Sequence, residues 1–217
     1  MNTRGLFITV EGGEGVGKST NISFLDAHLR DRGIDLLVTR EPGGSALGEA
    51  LRQLLLDVND EPVDPMAELL MMFAARAQHI NTRIEPALAA GRWVLCDRFT
   101  DATYAYQCGG RGIAHNVVAA LEELVQKQLR PDCTLLLDAP VSTGMARARR
   151  RGDLDRFEQE ELAFFERVRA TYLDLAESSS GRYRIIDASA PLEAVQKQLL
   201  KVCNDLTACW GVRHPTQ

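Results

Sequence analysis

No run of eighteen apolar residues, no Cys-x-x-C pair and no excess of positive charge occur in this chain. The first absence excludes a membrane-spanning helix recognisable from hydropathy. The second excludes a thiolate metal site: five cysteines stand at 96, 108, 133, 203 and 209 with no His at ligand spacing beside them, so they read as reduced, mostly packed thiols. The third bears on partners. Lys plus Arg is 25 against 30 Asp plus Glu, a formal charge of −5, the wrong sign for a protein that relies on attraction to a phosphate backbone, so nucleic acid is not an expected partner. The opening MNTRGLFITVEGG lacks the apolar core of a signal peptide, and a cytoplasmic location is expected. Low-complexity tracts and internal repeats are absent too, and 217 residues with 45% hydrophobic content suit one domain with a sizeable core. Lysine is scarce, with four against twenty-one arginines. The planar Arg fork grips phosphate oxygens in pairs, so the position of each arginine decides whether the bias serves recognition or reflects genome composition.

Short β-rich runs alternate with helical periodicity. Gly5–Glu11 (with LFITV) predicts a strand, and Ser19–Arg32 places Ile22, Leu25 and Leu29 on one helical face before Gly33. Ile34–Thr39 predicts a second strand. Leu47, Leu51, Leu54 and Leu55 mark a helix after the Pro42-Gly43-Gly44 turn, where Glu41–Pro42 is a candidate cis peptide. Pro65–Ala90 predicts a long, largely buried central helix that Pro86 bends or restarts. Trp93–Cys96, Cys133–Leu137 and Arg182–Ile186 are the remaining strands, with helices over Asn116–Leu129, Val141–Arg151, Gln159–Glu177 and Leu192–Leu206. Continuous apolar strands separated by helices indicate an α/β domain whose five-stranded parallel sheet is flanked by helices on both faces. Ligands of such sheets gather at the carboxyl ends of the strands, where Glu11, Arg40, Asp97 and Asp138 stand.

Gly12-Gly13-Glu14-Gly15-Val16-Gly17-Lys18-Ser19 matches G-x-x-x-x-G-K-[ST], between a strand and a helix as its mechanism requires. Backbone N–H groups of such a P-loop turn inward around phosphates, and the following helix N-terminus adds a favourable dipole. Lys18 reaches the β and γ phosphates and the Ser19 hydroxyl can ligate Mg²⁺. With Thr20, residues 12 to 19 form the expected ATP site. No Asn-Lys pair exists to begin an N-K-x-D guanine-reading motif, which disfavours a guanine switch.

Arg40, Arg76, Arg98 and Arg111 are isolated arginines near turns or on an otherwise apolar helix face. Each either pairs with Glu41, Glu68 or Asp97 in an ordinary salt bridge or belongs to a second phosphate site. A further cluster, Arg147, Arg149, Arg150, Arg151 and Arg156, is either a solvated helix end or a basic segment that closes over triphosphate.

Taken together, these residues resemble the bacterial thymidylate kinases, from Leu6 to about Val202. The resemblance is carried by the P-loop with Glu11, Thr39-Arg-Glu-Pro-Gly-Gly44, Ala74-Ala-Arg-Ala-Gln78, Asp97-Arg98, Ala105-Tyr-Gln107, Gly109-Gly-Arg-Gly112, Arg130-Pro-Asp132, Leu136-Leu-Asp138 and Arg151-Gly-Asp-Leu-Asp-Arg156. It implies a single P-loop kinase domain over residues 1–217 with a lid at about 147–158, transferring the ATP γ-phosphate to dTMP with Mg²⁺, as a homodimer. It further implies that Arg40 and Arg98 hold the dTMP phosphate, that Glu14 reaches the 3′-hydroxyl, and that Arg76, Gln107 and Thr103 meet thymine. Tyr106 would lie beside the sugar, Asp97 would join Ser19 at Mg²⁺, and Arg151 or Arg149 would stabilise the transition state with Lys18. Relatives often carry an aromatic four residues before the base-contacting Arg. Here Met72 holds that position and Phe73 lies three before, and both spacings face the same side of a helix. Phe99 and Ala102 likewise stand where Tyr and Ser are frequent.

Rival readings are another nucleoside monophosphate kinase, a P-loop ATPase that switches a partner, and a ligase that activates a carboxylate. A second arginine-lined site favours a kinase over a switch, which has no second phosphate to hold.

Overall fold

The computed structural model describes residues 4–57, 61–151, 155–179 and 181–213. Five strands, β1 (Phe7–Glu11), β2 (Leu36–Arg40), β3 (Trp93–Asp97), β4 (Cys133–Asp138) and β5 (Tyr183–Asp187), form one sheet in the order β2-β3-β1-β4-β5, each neighbouring pair parallel. From β1 the chain runs out to β2, returns to fill β3, then crosses β1 to lay down β4 and β5. The winding therefore reverses at β1, which puts the ligand crevice beyond its carboxyl end. The helices are α1 (Lys18–Asp31), α2 (Ala46–Leu56), α3 (Pro65–His79), α4 (Glu85–Ala89), α5 (Thr100–Thr103), α6 (His115–Gln126), α7 (Val141–Arg151), α8 (Leu162–Ser178) and α9 (Leu192–Arg213).

Both sheet faces are covered, as near-continuous apolar strands require. On one face Ile8, Val10, Leu95 and Leu135 pack against Leu25 and Leu29 of α1 and Val195 and Leu199 of α9. Phe7, Val94 and Cys96 meet Ile80, Ile84 and Leu88 on the other face, and beside them Leu136 and Tyr183 pack against Met145 of α7 and Phe165 and Val168 of α8. Each fully buried aliphatic side chain among these contributes about 1.5–3 kcal/mol.

Four stretches differ from the pattern read in the sequence. The helical run from Pro65 is interrupted by a π-helical turn, Ile80–Ile84, between α3 and α4. Such a turn absorbs Pro86, which lacks an N–H and crowds the preceding carbonyls. Nor is that run largely buried: Leu69, Phe73, Ala75, Arg76 and His79 face inward, while Met66 is 42% and Leu70 51% exposed. Thr100–Gly110, unassigned by periodicity, is α5 followed by a second π-helical stretch, Tyr104–Gly110. Helix α6 stops at Gln126 because Lys127 takes φ 52. Helix α8 starts at Leu162 rather than Gln159, since the Asp155 carboxylate accepts from Phe157 N and Glu158 N (2.9 and 3.0 Å) and holds a turn there. The cis peptide at Glu41–Pro42 is present.

Candidate active site

Beyond the carboxyl end of β1 the P-loop rests directly on α7: a Cβ on Gly15, which has φ 67, would collide with the Gly144 carbonyl, and one on Gly144 with that of Glu14. Glycine is required there by both conformation and space. Lys18, at the first position of α1, folds its ammonium back to donate to the Gly12 and Gly13 carbonyls (3.3 and 3.1 Å). Burial, and then the nearby Arg98 guanidinium, hold that ammonium below its ordinary pKa.

Arg98, immediately after β3, has φ 64, a conformation costing a non-glycine residue of order 1 kcal/mol or more. Its backbone N–H donates to Val10 (3.0 Å), and its side chain makes four hydrogen bonds. Nη1 reaches the Gly12 carbonyl at 2.9 Å and Tyr172 Oη at 3.2 Å, while Nη2 reaches Glu14 Oε1 at 2.5 Å and Tyr106 Oη at 2.9 Å. The Tyr106 hydroxyl in turn donates to Glu14 Oε1 at 2.7 Å. Behind this cluster Glu11, fully buried, accepts from Phe99 N (2.7 Å) and Tyr172 Oη (2.9 Å). Burial, reinforced by the Asp101 charge, pushes its carboxyl up to about 8.

One cavity of about 560 Å³ opens here. Its wall is formed by Glu14 to Thr20, by Glu41, Arg52, Met72, Arg76, Phe99, Thr103, Tyr106 and Gln107, and by Asp97 and Arg98. Arg147 of α7 and, after that helix, Asp155, Phe157 and Glu158 also border it. Arg76 donates from Nε to Glu41 Oε2 (2.7 Å) and from Nη2 to Thr103 Oγ1 (2.9 Å), with its guanidinium 5.1 Å from the Phe99 ring. Gln107 donates to Glu68 Oε1 at 2.9 Å. Arg76 Nη1, Gln107 Oε1 and Asp97 Oδ1 are buried without a hydrogen-bond partner. Buried orphans on a cavity wall are what a site looks like before its ligand satisfies them.

The family model for thymidylate kinase matches residues 10–199. The chain belongs to the thymidylate kinase family. A thymidylate kinase of Teredinibacter turnerae is 59% identical over 195 residues, covering 90% of this chain and 95% of its own. One of Pseudomonas syringae pv. tomato is 57% identical over 202 residues, covering 93% and 96%. Among solved structures, the thymidylate kinase of Ehrlichia chaffeensis superimposes with a TM-score of 0.74 at 31% identity, covering 92% of this chain and 99% of its own. As a thymidylate kinase, this chain transfers a phosphoryl group from ATP to dTMP, giving dTDP and ADP.

Of the residues singled out in the sequence, Glu14, Gly15, Val16, Gly17, Lys18, Ser19, Thr20, Met72, Arg76, Asp97, Arg98, Thr103, Tyr106 and Gln107 come together around the kinase cavity. Gly12 and Gly13 lie just behind it, presenting carbonyls to Lys18 and Arg98. Three expectations need correction. Arg40 is not in the cavity wall: its side chain is 53% exposed and paired with Glu49 at 2.7 Å, the end of β2 having turned it outward. Phe73 does not border the cavity, because its ring enters the cluster of Leu69, Cys108 and Val118 beneath α6 and leaves Met72 at the wall. Arg149 is exposed on α7 away from the cavity wall. The side chain of Arg151 and residues 152–154 lie outside the described residues. Arg111 takes the ordinary salt-bridge option, with Glu68 and Glu160.

What the sequence reading missed is Arg52, which replaces Arg40 in the wall. Its signal was available: Arg52 and Leu56 are four apart on α2 and share the face that borders the cavity. Burial, and then the Arg40 charge, lower the pKa of the Arg52 guanidinium.

Proposed function

We propose that ATP lies along Gly12 to Thr20 and that dTMP fills the opposite end of the cavity, its phosphate met by Arg98 and Arg52 and its thymine by Arg76, Thr103 and Gln107. The observation carrying this assignment is that Lys18 and Ser19 share one continuous cavity with Arg52, Arg98, Arg76 and Gln107. Glu14, held by Arg98 and Tyr106, meets the deoxyribose 3′-hydroxyl, and Met72 and Phe99 supply the apolar wall for the base. An oxygen of the dTMP phosphate attacks the γ-phosphorus in line while the bond to the β,γ-bridging oxygen breaks, and ADP leaves with that electron pair. The attacking oxygen is already anionic, so no general base is needed. Positioning and charge neutralisation supply the rate enhancement.

The residues present fit Mg²⁺. Asp97 Oδ1 is buried without a partner and Ser19 shares its cavity, giving a carboxylate and a hydroxyl oxygen for a hard cation. Among the described residues no group of three or more His, Cys, Asp or Glu could hold a metal, which suits an ion bound by one carboxylate together with substrate phosphates. Ser19 and Asp97 would hold it, and when bound it neutralises phosphate charge.

The segment 147–158 serves as the lid in this reading, supported by Arg147, Asp155, Phe157 and Glu158 at the cavity wall. Its role is to exclude water that would otherwise hydrolyse ATP. A cytoplasmic setting accords with five free thiols, four of them buried. ADP release measured with and without dTMP, dUMP, dCMP and dGMP tests the whole assignment. It should be stimulated most by dTMP, with dTDP as the recovered product; equal release without any acceptor would overturn it.

Two variants separate the phosphate ligands. Arg52→Ala should raise the KM for dTMP about tenfold or more, the usual consequence of losing a charge-assisted hydrogen bond. Arg40→Ala should change it by no more than about twofold, since an exposed ion pair is worth little. Steady-state kinetics in which these two effects were reversed would restore Arg40 to the site.

The homodimer is also part of this proposal. Met66 and Leu70, a four-residue step apart on α3, are the exposed large apolar residues of a helix whose opposite face is core. A second copy of this chain seated on that face would bury them. Leu70→Glu should shift the chain from dimer to monomer in sedimentation velocity, and an unaltered sedimentation coefficient would remove α3 from the interface.

A further inference from the structure

At the acceptor end of the cavity two residues each keep one buried polar atom without a partner, Arg76 Nη1 and Gln107 Oε1. Arg76 is 3% exposed and Gln107 0%, and both line the cavity. One orphan is a donor and the other an acceptor. Arg76 can be nothing else, since a guanidinium only donates. Gln107 is different: an amide rotated by half a turn would offer NH₂ where it now offers C=O.

What prevents that rotation is Glu68. This carboxylate is fully buried on α3 and takes Gln107 Nε2 at 2.9 Å. A carboxylate accepts and does not donate, so it admits only the NH₂ end of the amide and leaves the carbonyl oxygen as the unpaired end of a cavity-lining side chain. Two guanidiniums bind the same group: Arg111 donates to Oε1 and Oε2 (both 3.3 Å), and Arg156 donates to Oε2 at 2.6 Å. Arg156 is anchored in turn on the Leu55 carbonyl at 2.8 Å. The acceptor is thus fixed from three sides.

We propose that Glu68 is a specificity-determining positioning residue: by holding Gln107 Nε2 it presents Gln107 Oε1 as an acceptor beside the Arg76 donor. Building on the reading that Arg76 and Gln107 meet the base, this pair accepts a pyrimidine whose ring N3–H stands next to a carbonyl. It refuses one in which a bare N3 stands next to an amino group. Cytosine would set lone pair against lone pair at Gln107 and N–H against N–H at Arg76. Arg76 supplies half of this discrimination whatever surrounds it; Glu68 is required for the other half.

The test is kcat/KM for dTMP and for dCMP, with the KM for ATP as control. In Glu68→Gln the substituted side chain can itself donate, Gln107 is free to turn, and the dTMP-to-dCMP preference should fall about tenfold or more, mainly through the KM values. The double exchange of Glu68→Gln with Gln107→Glu reverses the carboxylate and amide, again turns an acceptor to the cavity, and should recover the preference. It also carries the test if Glu68→Gln alone does not fold. An equal loss for both nucleotides in Glu68→Gln marks a structural role and overturns the proposal. So does an unchanged preference beside one that collapses in Gln107→Ala, which would leave the base reading standing. A preference unchanged in Gln107→Ala removes the base reader itself.

Discussion

Lys18→Ala should lower kcat by about three orders of magnitude while the protein remains folded. The two consequences separate because the ammonium contributes little to the architecture. Its bonds to the Gly12 and Gly13 carbonyls are 3.3 and 3.1 Å long and face a cavity where water can replace it. The loop has other supports: Arg98 donates to the same Gly12 carbonyl at 2.9 Å, and Gly15 lies against Gly144. A destabilisation of no more than about 1 kcal/mol is therefore expected. The chemistry has no such reserve. Lys18 is the only lysine before residue 127, and the P-loop around it carries Glu14 but no arginine. Without it, charge developing on the transferred group is left to more distant cations. Lys18→Arg should not rescue turnover, since a planar fork cannot occupy the place of a compact point charge. Single-turnover rates at saturating ATP and dTMP, with thermal melts alongside, distinguish these effects; kcat within tenfold of the parent would refute the assignment.

How much of this site is legible in the sequence depends on whether a position is set locally or by packing. The P-loop is local: glycines, a strand before and a helix after specify its shape, so Lys18 and Ser19 are readable without coordinates. Arg98 is readable for a similar reason, standing at the end of an apolar strand. Arg40 has the same credential, yet the Glu49 side chain one turn into α2 captures it, and no periodicity reports such a pairing. Met72 and Phe73 differ by about 100° around one helix, and only the arrival of α6 decides which ring or thioether meets the cavity. Thr100–Gly110 is the clearest case of tertiary override. Periodicity leaves it unassigned, but α8 keeps its end π-helical: Gly110 lies so close to Phe164 that a Cβ would collide with the ring, and Arg167 donates to the Gly109 and Gly110 carbonyls at 3.1 and 2.9 Å. That stretch carries Tyr106 and Gln107, so the least legible backbone positions two of the proposed substrate contacts. Glu41 and Glu68 look in the sequence like ordinary salt-bridge partners, and they are. Their further consequence, which atoms of Arg76 and Gln107 are left free, depends on where four side chains meet.

Arg98→Ala should abolish most turnover, by about 10³-fold, with ATP affinity changed no more than a few-fold. In the proposed assignment the guanidinium spans the two halves of the reaction: it holds the Gly12 carbonyl of the P-loop and lies against the Tyr106 ring at 4.7 Å. Four simultaneous hydrogen bonds from one side chain require the fork, so Arg98→Lys should recover little. A third substitution tests whether the backbone is shaped for this purpose. Because residue 98 has φ 64, alanine there keeps the strain that arginine bears, whereas glycine releases it. Arg98→Gly should therefore be more stable than Arg98→Ala by about 1 kcal/mol, and equally inactive. Denaturant unfolding compares the two variants, and calorimetric titration with ATP isolates the donor site. If the alanine variant bound ATP far more weakly, Arg98 would belong to the donor subsite. Were glycine no more stable than alanine, the left-handed backbone would carry no strain, and its conformation could not be counted as a cost borne for the placement of this side chain.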